Sequence, residues 1–332
     1  MTVNQIQPAF RLRSYDDALG LIPHLLGFHP EESLVVLVID GNRLELTARL
    51  DLSDAAQPTM VEATLARIWS RFPAADAWFV AYTAHREYAW AVLGRCDALL
   101  PAGRDRHLLA VDGGSWQAGS ADGPRGVHDP VSNRLAAEAT VRGMVARRSR
   151  KELAALLDGP PATDTEALVE VARRVGSELA HEPISQWPTL MGSALRRCAA
   201  TGALSDDEAV RLATLAADPN ARDVALLTMS RRHAERQLEL WRRVVNRTLP
   251  VHQGHPLALL GMAAWLAGEG ALVSICLERA HELAPPTGLL GILEQVLEGV
   301  IPPTYWDELR PELIAAANND VRRAVLRRVE AA

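Results

Sequence analysis

Six consecutive apolar residues, Leu34, Val35, Val36, Leu37, Val38 and Ile39, constrain this chain more than any other segment. A run of this kind, rich in β-branched side chains, predicts a strand covered on both faces rather than a half-exposed one. Ser14 with Asp17 three positions later forms a capping box, so a helix starts at Tyr15 and carries Ala18, Leu19 and Ile22. Pro23 interrupts that helix, and residues 23–26 read as a second short turn closed by Gly27. The polar elbow His29, Pro30, Glu31, Glu32 and Ser33 therefore stands at the entrance of a central strand.

Turn formers occupy residues 40–43, after which Leu44, Leu46, Ala48, Leu50 and Leu52 alternate with Glu45, Thr47, Arg49 and Asp51. The alternation predicts a hairpin whose second strand buries one face and turns Glu45, Arg49 and Asp51 to the other. A helix over 57–72, with Pro58 in its first turn, precedes a strand over 77–83, a helix over 86–100 and a strand over 107–111. Asp112, Gly113, Gly114 and Ser115 turn that last strand toward a short partner around Trp116. The order α-β-β-α-β-α-β predicts an α/β domain with a mixed sheet and at least one parallel crossover.

Residues 119–130 hold several Gly, Pro and Asp, and everything after them carries helical periodicity. The expected organisation is an α/β domain over 1–120, a loop or linker over 121–130 and an all-α helical domain over 131–332. Its expected helices run from 131–144 to 319–329 and include 184–199, 234–245 and 256–266, with none between 297 and 319. Leu260, Gly261, Leu277, Ala280 and Pro285 fall at the offsets of a roughly 34-residue tetratricopeptide unit, with Ala264 and Val273 where that motif prefers Tyr and Ala.

At 332 residues and 48% hydrophobic content the chain has room for two cores. A net charge of -6 without a long basic tail weighs against a protein held by many phosphate contacts, and nucleic acid is not the expected partner. Lys151 is the one lysine against 34 arginines, a bias that points to a GC-rich bacterial genome. The N-terminus has no basic region followed by an apolar run, and no stretch approaches the length of a membrane span, so the expected location is the cytoplasm, with no membrane. Cys96, Cys198 and Cys276 lie far apart in helical patterns and read as buried free thiols.

Pro23, Leu25, Leu26, Gly27, Phe28, Pro30, Ser33, Leu34 and Val35, then Ala48, Arg49, Asp51 and Leu52, then the segment from Val111 through Asp112 to Trp116, resemble an actinobacterial family known as domain of unknown function 4192. The likeness continues through Ser149 to Leu153, the Ala263 to Ala271 segment, Leu277 to Ala280, and Pro302 with Pro303. It implies an architecture and brings no activity, cofactor or catalytic residue with it. Family members often carry cysteines between the fourth strand and the next helix; residues 117–130 here contain none, so any metal or redox role they have is absent.

The candidate binding constellation is Glu31, Glu32 and Ser33 with Arg49 and Asp51 on the adjacent strand. Paired carboxylates can hold a hard cation or exchange protons, and an arginine can clamp an anion, but an elbow before a buried strand also needs polar groups for its own backbone. Weaker candidates are Asp40 and Asp112 at strand ends, in an order loosely like that of metal-dependent nucleases. The ten histidines supply no H-x-x-x-H or H-E-x-x-H pattern, so no metal and no cofactor are expected; His252 and His255 flank Gly254 in an expected loop. Arg231, Arg232, Arg236, Arg242, Arg243 and Arg247 form one basic stripe and Arg322, Arg323, Arg327 and Arg328 another, both interleaved or flanked by acids, while Trp241 reads as core. The expected function is non-enzymatic, through an unknown protein partner bound by the helical region. The alternatives are a metal-dependent hydrolase or nuclease on the α/β domain, and nucleic-acid binding.

Overall fold

The computed structural model describes residues 2–4, 10, 12–41, 43–129, 133–283 and 288–329. Contacts divide the chain into two compact units. Met1–Leu153 forms the first together with two later pieces, Gly268–Ala271 and Gln295–Ile301; Ala154–Ala267, Leu272–Glu294 and Pro302–Ala332 form the second. Expectations that fall on Pro285 and on the Arg328 side chain lie outside what is described.

In the first unit the elements run β1 (Thr2–Asn4), α1 (Tyr15–Leu26), β2 (Ser33–Asp40), β3 (Arg43–Asp51), α2 (Leu52–Ala55), α3 (Pro58–Arg71), β4 (Asp76–Tyr82), α4 (Arg86–Ala98), β5 (Arg106–Asp112), β6 (Ser115–Ala118), β7 (Arg125–Val127) and α5 (Arg134–Val141). The strands make one mixed sheet of order β1-β3-β2-β4-β5-β6-β7. Among the described strands of this sheet, β4 and β5 alone pair in parallel, joined by the α4 crossover. The apolar run is β2, buried from Ser33 to Val38 because helices cover both sides of it. Leu34, Val36 and Val38 point into a core completed by Val61, Leu65, Ile68, Val92, Leu93 and Cys96 from α3 and α4. On the opposite face α1 lies over β3, and Tyr15 meets Trp78 and Trp116 edge to face at 5.6 and 5.1 Å.

Helix α1 runs through Pro23 without a break, contrary to the expected interruption. Proline removes one hydrogen bond near the end of the helix, but Leu19, Leu21, Ile22, Leu25 and Leu26 are all fully buried, each contributing about 1.5 to 3 kcal/mol of apolar burial that holds the last turn helical. Gly27 then ends it in the left-handed region at φ 80°. The Ser14 hydroxyl accepts from the Asp17 amide at 3.1 Å, as the sequence predicts. Helix α1 packs on α5 where Gly20 leaves room for Asn133, the N-cap of α5. Asn133 accepts from the Ala136 amide at 2.9 Å and donates to the Asp16 carbonyl at 2.7 Å. A Cβ on Gly20 would stand 2.1 Å from its side chain.

The helices then continue as α6 (Arg150–Ala155), α7 (Thr165–Ala180), α8 (Trp187–Thr201), α9 (Asp206–Leu215), α10 (Pro219–Leu227), α11 (Ala234–Asn246), α12 (Gly254–Ala267), α13 (Gly270–Leu283), α14 (Gly288–Glu298), α15 (Tyr305–Ala316) and α16 (Asn319–Val329). In the second unit α7 lies on α9, α8 on α10 and α16, and α11 on α12. Helix α12 is buried all round from Pro256 to Leu266, as a helix apolar on every face must be. Trp241 is buried in α11, and all three cysteines are buried. Burial pushes the Cys96 thiol up to about 12 and raises the Cys276 thiol further, so neither carries thiolate at neutral pH.

Three expectations change here. Gly254 opens α12 instead of sitting in a loop, so His255 is helical. The 184–199 helix begins as a 3-10 turn, Ile184–Gln186, and becomes α8 at Trp187, because Pro188 suits a first turn. Helix α15 occupies a stretch without an expected helix; its Pro311 lies inside it, and Trp306 anchors it by donating to the Met229 carbonyl at 3.1 Å.

Helix α14 ends in a Schellman arrangement within Gln295–Ile301, a piece of the first unit. The Ile301 amide donates to the Val296 carbonyl at 2.9 Å and the Val300 amide to the Leu297 carbonyl at 3.3 Å. The left-handed position that glycine usually fills is taken by Val300 at φ 53°. That costs a β-branched residue about 1 to 2 kcal/mol. Full burial of its side chain in the core beneath β2 and α3 offsets the cost.

Candidate functional site

The elbow before β2 brings Ser33, Arg49 and Asp51 together. Antiparallel pairing sets Ser33 opposite Asp51 and Val35 opposite Arg49, which puts all four on one face of the sheet. Arg49 donates from Nε to Ser33 Oγ at 2.9 Å and from its terminal nitrogen to Asp51 Oδ1 at 2.6 Å. Ser33 in turn donates to the Glu31 carbonyl at 2.6 Å. The guanidinium carbon lies 5.9 Å from the Phe28 ring centroid, within cation–π range.

Arg49 is 7% exposed, which corrects the expectation that it shares an open face with Glu45 and Asp51. Strand β1 pairs outside β3, with Thr2 in register with Arg49, and α1 covers this face. Period two in the sequence locates the face, whereas those distant segments decide that it is closed.

Glu32 is drawn the other way. Its carboxylate accepts from Thr83 Oγ1 at 2.8 Å, and its carbonyl accepts from the Leu52 amide at 2.8 Å. Tyr88 donates to the Leu52 carbonyl at 3.2 Å, so the elbow is tied to β4, α2 and α4. Glu32 holds φ 40°, a strained value for a residue with a Cβ, and these bonds hold it there. Glu31 is exposed and contributes its backbone. Of the five residues singled out in sequence, four are thus engaged in a clamp that fixes the entry of the central strand. Phe28 and Thr83 complete it; Thr83 follows β4 directly, and strand pairing is the signal that links it to the elbow.

Asp40 and Asp112 are separated. Strand β2 runs against β4 with Ser33 beside Tyr82, and β4 runs with β5 with Tyr82 beside Val111. Asp112 therefore sits at the Ser33 end of the sheet, while Asp40 lies at the far end of β2, roughly 20 Å away at about 3.3 Å per residue. A shared metal is out of reach for this pair. Among the described residues no group of three or more His, Cys, Asp or Glu side chains is arranged to hold a metal ion.

Tyr82 shares the Ser33 face, and its hydroxyl is buried with no hydrogen-bond partner among the described residues. Burial pushes the phenol far above its ordinary range, so it stays protonated. Tyr82→Phe is expected to leave stability unchanged or raise it by about 1 kcal/mol, since it removes a desolvated polar atom and keeps the ring. Urea midpoints of the two proteins check this; a lowered midpoint shows that the hydroxyl is bonded in solution.

The basic stripe of α11 is largely engaged. Arg231 bonds Asp307 at 2.7 Å, Arg242 bonds Glu239 at 2.6 Å and Arg247 bonds Asp206 at 2.9 Å. Arg243 donates to the Gly202 carbonyl at 3.1 Å.

A mixed sheet with helices on both faces and a clamped strand entrance, followed in the chain by an all-helical unit, defines an α/β-plus-helical protein. The chain belongs to the family described as domain of unknown function (DUF4192), whose model matches residues 16–304. No curated protein and no solved structure matches it. No helix among the described residues is long and apolar enough to cross a membrane.

Proposed function

We propose that this is a non-enzymatic protein of the bacterial cytoplasm that receives a protein partner on its helical unit, with helix pairs stacked in a tetratricopeptide-like manner. The observation that carries the reading is exposed apolar surface on a unit whose own core is closed. Val169, Ile184 and Val251 are 51, 67 and 74% exposed, although α12 and the inner faces of α8 and α10 give this unit a full interior. Covering one such side chain fully contributes about 1.5 to 3 kcal/mol, so each can add to the hold on a partner that reaches it. The engagement of Arg49, Ser33 and Glu32 with one another's strands accounts for the strongest polar constellation of the α/β unit without a substrate.

Photo-crosslinking residues placed at Ile184 and Val251 in the full chain, in its native host, are expected to yield discrete higher-mass adducts. The same residue at exposed Glu312 serves as control. Adducts no stronger at Ile184 and Val251 than at Glu312 would overturn the reading.

A further inference from the structure

A cleft of about 230 Å³ opens within the helical unit between α8, with the turn that precedes it, and α16. Its walls include Ser185, Thr189 and Arg196 on one side and Asp320, Arg323 and Arg327 on the other. Helical spacing explains the grouping. Thr189, Gly192 and Arg196 share a face of α8, as Asp320, Ala324 and Arg327 share a face of α16. The helices cross at Gly192, where a Cβ would stand 3.6 Å from that of Ala324. Close approach at the crossing leaves the longer residues a turn away to form a concave polar wall.

The charges in that wall do not cancel. Asp320 Oδ1 takes Arg323 at 2.6 Å. Arg196 donates to the neutral Ser193 hydroxyl at 2.9 Å, and neither it nor Arg327 pairs with a carboxylate among the described residues. Among the described residues these two guanidiniums thus have no ion-pair partner in the concavity, where the surrounding protein concentrates their field. Ser185 and Thr189 also line the wall, and their hydroxyls can donate to an anion there.

We propose that this cleft binds a phosphate dianion, either as free phosphate or as the terminal group of a small phosphomonoester. The planar fork of arginine matches tetrahedral oxyanions, and two uncompensated charges match a dianion better than the single charge of a phosphodiester. The cleft adjoins Ile184 of the apolar surface, and its occupancy by phosphate does not depend on a protein partner.

Titration calorimetry on the full chain tests it, with inorganic phosphate as the probe and sodium chloride of equal ionic strength as the blank. Saturable binding with one site per chain is expected. R196Q and R327Q are each expected to weaken it by about tenfold, the effect of one lost charge-assisted hydrogen bond, with the thermal midpoint of the free protein unchanged. Methyl phosphate binding more tightly than inorganic phosphate assigns a phosphomonoester, and the reverse order assigns free phosphate. Dimethyl phosphate, a monoanion, is expected to bind at least tenfold more weakly than either. Phosphate heats equal to the chloride blank, or equal affinity in the R196Q/R327Q double variant, would overturn the proposal.

Discussion

Replacing Gly20 with alanine is expected to destabilise the α/β unit by about 2 to 4 kcal/mol. The added carbon would stand 2.1 Å from the side chain of Asn133, which is 3% exposed and has nowhere to swing. Displacing it uncaps α5 and breaks the bond to the Asp16 carbonyl, so overpacking and a lost cap act together. Gly94→Ala supplies the contrast, since its Cβ meets nothing within 4 Å in the interior of α4. There the change should stabilise by about 0.5 to 1 kcal/mol through helix propensity alone. Urea unfolding of both variants measures the difference. In an Asn133→Ala background the cost of Gly20→Ala should shrink by more than half; an undiminished cost would place the strain elsewhere.

The second large effect is expected at Arg49. Arg49→Met keeps much of the volume and removes the fork, leaving the buried Ser33 hydroxyl without its donor and the elbow unlatched from β3. A loss of about 2 to 4 kcal/mol is expected for this buried charged group with hydrogen-bonded partners. Asp51→Asn should cost less than about 1 kcal/mol, because its side chain is 58% exposed and water screens the pair. Equal losses from both substitutions would show that the ion pair, not the Ser33 bond, carries the clamp.

These two positions mark where the sequence stops being legible. Local rules locate β2, the hairpin to β3, the Pro58 start of α3 and the buried cysteines, because each depends on neighbours a few residues away. The run from Leu34 to Ile39 forecasts a doubly covered strand, and the helices on its two faces bear that out. Arg49 is different. Alternation places it opposite Val35, but its burial depends on β1 and α1, which no window around residue 49 contains. Strand direction was equally hidden, and direction alone decides that Asp112 lies near Ser33 while Asp40 does not. Pro23 misleads because proline's local penalty is a few kcal/mol, and the burial of Leu19 and Leu25 outweighs it.

The cleft of α8 and α16 lies between these extremes. The arginines of α16 are plain in the sequence as a stripe, and Arg196 is equally plain in its own helix. Their convergence is set by a glycine and an alanine that let two distant helices touch.

Val300 gives the α/β unit a timetable. Its side chain belongs to the core beneath β2 and α3, yet it is added to the growing chain well over a hundred residues after β7. At elongation speeds of about 5 to 20 residues per second, the unit's own sheet is complete for on the order of ten seconds before its last core residue exists. During synthesis the unit therefore waits with an open socket, and helices α6 to α14 are made before that socket is filled. Release of the N-terminal unit into its final state is thus coupled to completion of nearly the whole chain, an order of events that a cut after Leu153 would abolish.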